Sequence, residues 1–395
     1  MTRVLIRTTA AIAALVLAAG ATACGSDDQT SAPGGAAKQT VKVAGIFDLS
    51  GPTADVSTPY SEGIKGFVTS WNDKGAGPKI ELSSEDYKYD VAVAERLYSR
   101  QKANGVVAVQ GWGTGDTEAL RGKVTADKLP FMSASYAETL TDPAQTPFNF
   151  VTATSYSDQM RLALQWISEA AKGAQVASFH HDSPFGESPQ KAGAAKAKQL
   201  GLGFKTYAMP AEATDYVPQL RRAKAQGAKY VVIQNVSTPA AQLAKNIAEQ
   251  GLDMKIVCLN WCGDELFVDL AGKAAEGTVG VMPWAPASVK AAGLAAPRDF
   301  LSKSGGNLDK QGLHYVQGWY TMALMADGIK RAADKGAVTG ESIKQALEEM
   351  DAFDTGEDSA PVDFTATSHA GMTGSKLYQV KDGKWTQLTD LLNAS

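Results

Sequence analysis

Apolar residues fall in short runs that alternate with stretches of helical spacing. Val41-Lys-Val-Ala-Gly-Ile-Phe47 reads as a strand, and Tyr60, Ile64, Phe67, Val68 and Trp71 then share one helix face. Lys79-Ile-Glu-Leu predicts a second strand, and Val93 and Leu97 mark the next helix. A third strand, from Val106, runs into glycines at 111, 113 and 115, and a helical pattern follows from Ala119. Leu129 to Ser135 and Phe148-Asn-Phe-Val-Thr complete a first series. A second series opens with a helix carrying Met160, Leu164 and Ile167. Strands follow at 175–180, 204–208, 229–234, 254–259 and 277–282, separated by helical stretches. Ser188-Pro189 and Thr238-Pro239 each read as a cap with proline at the first helical position. Beyond Pro283-Trp284 helices dominate, over 298–304, 314–333 and 341–350. Short strand-like pieces end the chain at Val362, Lys376–Val380 and Trp385.

Strands alternating with helices of ten or more residues predict parallel sheets with helices on both faces. The folded part starts near Val41 and is longer than one core usually serves, so two lobes are expected. The fold class is therefore α/β, with two doubly wound open sheets. Ligands of such sheets bind at the carboxyl ends of the strands. Polar clusters at 48–52, 112–117, 133–136, 181–187 and 260–264 all fall there, which points to a ligand cleft between the lobes.

Gly111-Trp-Gly-Thr-Gly-Asp-Thr117 is the most informative of these clusters. Glycines let backbone approach a ligand closely, and the first N–H groups of a helix lack intrahelical partners. Such a corner is an anion site suited to a carboxylate. An ordinary strand-to-helix turn is the alternative that this stretch alone leaves open.

The N-terminus changes the picture of where the protein works. Arg3 and Arg7 precede an apolar run from Ala10 to Ala19 and a small-residue stretch ending at Cys24. This is a secretory signal, too short for a membrane span of about 20 residues. Ending on a cysteine, it resembles a bacterial lipoprotein signal, with Ala21 where leucine is usual. That resemblance implies a signal peptide over 1–23, lipid on Cys24 and anchoring at the outer face of the cytoplasmic membrane. Residues 24–40 are small and polar and read as a flexible tether. Cys258 and Cys262 could form a disulfide in an exported protein, with buried free thiols as the alternative. His180-His181 has no metal-ligand spacing to them, so no metal or other cofactor is expected.

Composition excludes several functions. A chain 44% hydrophobic and 20% charged is an ordinary globular protein. Its 38 basic residues against 42 acidic ones, with no basic patch, argue against nucleic acid. Gly113-Thr-Gly115 is followed at 118 by Glu, so the dinucleotide fingerprint fails. Ser188-Pro-Gln-Lys191 lacks the partner motifs of penicillin-binding enzymes. No G-x-S-x-G, Walker A or H-E-x-x-H occurs, and the protein reads as a binder, not an enzyme.

The chain resembles the substrate-binding lipoproteins of ABC importers related to the leucine/isoleucine/valine-binding protein. The matching stretches are Leu49-Ser-Gly-Pro52, the glycine-rich turn at 111–117 and Pro130-Phe-Met-Ser-Ala-Ser135. His181-Asp-Ser-Pro-Phe-Gly-Glu187, Gly312-Leu-His-Tyr-Val316 and Val362-Asp-Phe-Thr extend the match. The resemblance implies the type I periplasmic-binding fold. Its lobes would interleave as 41–156 with 286–373, and 157–285 with 374–395, joined by a three-crossover hinge. It implies a monomer that captures a small carboxylate, by default a branched-chain or other hydrophobic amino acid, and delivers it to a permease and ATPase. A sensor that binds without transport is the other reading of the same cleft.

By the same resemblance Gly113, Thr114, Ser135 and Tyr136 would hold the carboxylate, and Phe185 would cover the ligand. Asp264 would receive an ammonium group, although Trp261 stands nearer the expected position. The leucine-type tyrosine after Ser-Gly-Pro is replaced by Val56. Trp112, Tyr136, Phe185 and Trp261 would surround one small cleft with rings, which favours an aromatic carboxylate such as a benzoate or phenylacid. Trp284 and Trp319 are expected in the core or hinge.

Overall fold

The computed structural model describes residues 39–356 and 359–394. The signal segment, Cys24 and nearly all of the tether lie outside the described residues.

The first sheet takes five short strands. They are β1 (Thr40–Phe47), β2 (Lys79–Asp86), β3 (Ala108–Gly111), β4 (Phe131–Ser133) and β5 (Asn149–Phe150). Their order is β2-β1-β3-β4-β5, and every pairing is parallel. Helices α1 (Ala54–Lys74), α2 (Val91–Ala103) and α3 (Thr114–Asp127) connect the first four strands. All residues of β3 and β4 are buried, as strands covered by helices on both faces must be.

Helix α4 (Tyr156–Ala170) leads into the second sheet. Its parallel part holds β6 (Gln175–His181), β7 (Gly203–Met209), β8 (Ala228–Gln234), β9 (Lys255–Cys258) and β10 (Val279–Met282). The connecting helices are α5 (Pro184–Glu187), α6 (Gln190–Gln199), α7 (Val217–Ala225), α8 (Ser237–Glu249) and α9 (Glu265–Ala271). The chain then returns to the first lobe with α10 (Ala295–Lys303), α11 (Leu308–Asp334) and α12 (Gly340–Glu348). It ends back on the second sheet with β11 (Gly374–Lys381), β12 (Lys384–Gln387) and β13 (Leu392–Asn393). Strand β11 runs antiparallel to β10, β12 and β13.

In each sheet the strand order reverses beside the first strand, between β1 and β3 and between β6 and β8. A crevice opens where connections leave in opposite directions, so each lobe has one built-in binding edge. The chain is thus two α/β lobes that face each other across their switch points.

Helices α1 and α11 hold the first lobe together. They cross so closely that a methyl on Gly63 would overlap the Tyr315 carbonyl, and one on Gly318 the Tyr60 carbonyl. Helix α11 breaks at Gly312, whose φ of 74° suits glycine. The Glu265 carboxylate accepts from Leu313 N at 2.8 Å and so caps the helix that restarts there. It also accepts from Ala287 N at 2.8 Å, which ties α9 to the returning chain.

Two expected helix starts move. The helix expected from Pro189 starts one residue later, at Gln190 with Pro189 in the cap position, behind the separate short helix Pro184–Glu187. Helix α8 begins at Ser237 after an extended Val236, so Thr238 lies inside its first turn. The expected strand at Val362 is a single bridge to Phe353. Trp284 and Trp319 are buried, as expected. Of the two readings open for the cysteine pair, Cys258 and Cys262 stand here as free, buried thiols. Cys262 Sγ faces the Ile233 carbonyl at 3.5 Å, and the turn that starts at Asn260 aims it there.

Gly318→Ala should lower stability by about 1–3 kcal/mol through overpacking against α1. Urea unfolding should show a lower midpoint with an unchanged slope.

Candidate functional site

The strand ends of both lobes meet around one small cavity of about 10 Å³. From the first lobe it is lined by Thr53, Tyr89, Trp112, Gly113, Thr114 and Ala134. From the second it is lined by Phe185, Val236 and Trp261, and Tyr156 at the crossover completes the wall. A wider groove of about 820 Å³ lies elsewhere, between Val268 and Arg298 and bordered by Trp385. That groove is open to solvent, whereas the smaller cavity holds the residues that the strand-end pattern singles out.

Each lining group is set by a local device. Asp48, just after β1, is fully buried, and its carboxylate accepts from Gly51 N at 2.6 Å, Thr53 N at 2.9 Å and Thr53 Oγ1 at 2.7 Å. Thr53 Oγ1 in turn accepts from Trp112 Nε1 at 2.7 Å. A buried carboxylate therefore orients the first loop and, through a hydroxyl, the indole. Trp261 Nε1 donates to the Tyr156 hydroxyl at 2.8 Å, and that hydroxyl donates to the Ala134 carbonyl at 3.1 Å. Burial pushes the Tyr156 pKa up, so the phenol remains a neutral donor.

The rings form a continuous seal. Trp112 and Trp261 meet edge to face at 4.8 Å, and Tyr156 meets Phe185 at 5.4 Å. Tyr89 enters through two successive left-handed residues, Lys88 and Tyr89, with φ of 55° and 59°. That conformation is uncommon away from glycine, and the Asp86 carboxylate supports it by accepting Lys88 N at 2.9 Å. His181 lies 5.7 Å from Tyr89, ring to ring. Burial lowers its pKa to about 4, so it is neutral at physiological pH.

The polar corner is at the start of α3. Thr114 Oγ1 and Ser135 Oγ are 2.8 Å apart and both buried. Gly113 caps the helix, and a methyl there would collide with Asp116 Oδ1 and the Tyr87 hydroxyl. Only glycine lets that turn close, which accounts for one of the three spaced glycines. The arrangement offers two hydroxyls and the free N–H groups of a helix start, a donor set for an anion.

Of the residues expected at the site, Trp112, Gly113, Thr114, Phe185 and Trp261 line the cavity. Ser135 stands behind Thr114, and Tyr136 stacks on Trp261 at 5.5 Å without reaching the cavity. Asp264 is displaced from it. Its carboxylate caps α9 by accepting from Phe267 N at 2.8 Å and lies 3.0 Å from His314 Nε2. Burial alone would lower the His314 pKa, but Asp264 outweighs it and the net shift is upward. Thr53, Tyr89, Ala134, Tyr156 and Val236 are additions. Thr53 and Ala134 adjoin polar clusters visible in the sequence, whereas nothing in the pattern marks Tyr89 or Val236.

Asp116, in the first turn of α3, accepts from the Tyr87 hydroxyl at 2.9 Å, while its Oδ2 has no partner. Burial raises its pKa from 3.8 to about 7. The unfolded chain releases this proton first, so the group weakens the fold as pH rises from about 4 to 7. Asp116→Asn keeps the shape and removes the charge. Its stability gain over the parent should be absent at pH 4 and reach on the order of 2–4 kcal/mol at pH 8, read from chemical denaturation at both pH values.

Comparison with known proteins agrees with this geometry. Residues 40–384 match the periplasmic binding protein family. The Leu/Ile/Val-binding protein homolog 1 of Brucella suis biovar 1 (strain 1330) is 23% identical over 250 residues, covering 62% of this chain and 67% of its own. A branched-chain amino acid ABC transporter structure from Thermus thermophilus with bound valine is similar at a TM-score of 0.86 and 26% identity, covering 91% of this chain and 97% of that one. A solute-binding protein of an ABC transporter from Rhodopseudomonas palustris HaA2, in complex with p-hydroxybenzoic acid, has a TM-score of 0.79 at 20% identity. That match covers 90% of this chain and 98% of that one. With two α/β lobes meeting at their switch points and a family match across nearly all described residues, this chain belongs to the periplasmic binding protein family.

Proposed function

We propose that the protein is the extracytoplasmic solute-binding component of an ABC importer and that it closes on a small carboxylate. The observation that carries this reading is the buried Thr114–Ser135 hydroxyl pair at the start of α3, opening on a cavity shared by both lobes. The cavity holds only about 10 Å³ of free space, so the lobes are closed on each other here and must part to admit a ligand.

Capture works by closure. Ligand contacts to both lobes favour the closed form over the open one, and the difference in affinity sets how far the equilibrium moves. Closure also makes a contact of its own. The Thr238 N–H at the start of α8 donates to Asp55 Oδ2 on the opposite lobe at 2.9 Å. No side chain of α8 itself caps that end, so the facing lobe supplies the cap. A permease would recognise the two closed lobes, and an ATPase would drive the transfer. Binding needs no turnover and no cofactor, and a monomer suffices.

Branched-chain or other hydrophobic amino acids are the ligand class that the relatives favour, through the name of the Brucella protein and the valine of the Thermus structure. Aromatic carboxylates are favoured by the five rings in the wall, Tyr89, Trp112, Tyr156, Phe185 and Trp261. Attachment through lipid on Cys24 would hold the protein beside its permease.

Thr114→Ala should weaken a carboxylate ligand by about 1–3 kcal/mol through a lost charge-assisted bond, measured by calorimetric titration. Unchanged affinity would remove the carboxylate from this corner. Cys24→Ser should shift the protein from the membrane pellet to the soluble fraction of expressing cells; continued pelleting would argue against a lipid anchor.

A further inference from the structure

We infer that the cleft selects a carboxylic acid that carries no ammonium group beside its carboxylate. This rests on the carboxylate reading of the Thr114–Ser135 corner and narrows it. An α-amino acid places a cation next to its carboxylate, and closure takes both away from water. A buried cation needs a paired anion or a full set of acceptors.

The cavity wall contains no Asp or Glu among the described residues. The nearby carboxylates are engaged with the protein itself. Asp48 accepts from Gly51 and Thr53. Asp55 Oδ2 takes the Thr238 N–H across the lobes, while its Oδ1 has no partner, but the residue borders a separate cavity and not this one. Asp264, the acid expected for the ammonium, caps α9 and pairs with His314, and it borders a separate cavity with Asp55 and Glu265. In its loop the position that reaches the ligand cavity is Trp261, which brings a ring instead of a charge. The neutral acceptors are likewise occupied. The Tyr156 hydroxyl already accepts from Trp261, and Thr53 Oγ1 from Trp112. Asp116 retains one free oxygen but stands outside the lining. The cleft therefore offers donors for an anion and rings for its remainder, with no carboxylate to pair a protonated amine.

The test is calorimetric titration and thermal shift of the ligand-free mature chain with matched pairs. These are valine and 3-methylbutanoate, leucine and 4-methylpentanoate, and phenylalanine and 3-phenylpropanoate, with benzoate, 4-hydroxybenzoate and glycine betaine alongside. The expected result is at least tenfold tighter binding of an acid than of its amino counterpart. Equal or tighter binding of valine, leucine or phenylalanine overturns the inference, above all if Asp116→Asn or Asp264→Asn then abolishes it. Binding of betaine with the acids silent also overturns it, because the rings would be caging a cation. If no acid and no amino acid binds, the carboxylate reading itself fails and the inference falls with it.

Discussion

The contact between Trp112 and Trp261 is the constraint around which the cleft is arranged. The two indoles come from opposite lobes and meet edge to face at 4.8 Å, an arrangement that ring quadrupoles favour. Neither is free to turn. Trp112 is tied by its N–H to Thr53, and through it to the buried Asp48. Trp261 is tied to the Tyr156 hydroxyl, which is itself anchored on Ala134 of the first lobe. One hydrophobic cluster consequently runs from the core of the first lobe through Trp112 into Phe185, Val236 and Trp261 of the second. Closure is thus continuous with folding: the same rings that seal the site extend the core. With only about 10 Å³ free between these side chains, a ligand can enter only if some of them move apart.

Much of this was legible in the sequence. The alternation of apolar runs and helical stretches predicted two open sheets, and strand-end polar clusters picked out loops that supply Trp112, Thr114, Phe185 and Trp261. Those features are local: a strand end and a helix start are written in neighbouring residues. Tyr89 was not legible, because it reaches the cavity only through two left-handed residues without glycine, a conformation that the Asp86 carboxylate supports. Val236 reads as one more core valine until the strand order places β8 beside the switch point. Asp264 illustrates the opposite failure. It stands in the right loop, but the short turn at Asn260–Cys262 rotates Trp261 into the cavity and leaves Asp264 at the helix cap.

Capping recurs as a means of joining parts that are distant in sequence. Helix α8 has its first turn capped by Asp55 of the other lobe, and the restart of α11 is capped by Glu265 of α9. A helix start with no side-chain cap of its own is an unsatisfied donor set that must find an acceptor somewhere. By leaving these starts uncapped locally, the chain makes their satisfaction conditional on tertiary contact. For α8 the acceptor is present only when the lobes meet, which couples a backbone requirement to closure.

The start of α3 opens on the cavity beside that of α8, and its electrostatics follow from the same logic. Asp116 lies in its first turn, where an ionised carboxylate would stabilise the helix by complementing the dipole. An ionised group there would also repel a ligand carboxylate at the adjoining corner. Burial resolves the conflict by raising the Asp116 pKa to about 7, so that near neutrality a large fraction of the group is uncharged. The residue still accepts from Tyr87 and shapes the turn, while its charge against an arriving anion is reduced. Under the proposed carboxylate reading, the helix dipole and the Thr114–Ser135 pair would act on the ligand with less opposition than an exposed aspartate at this position would create.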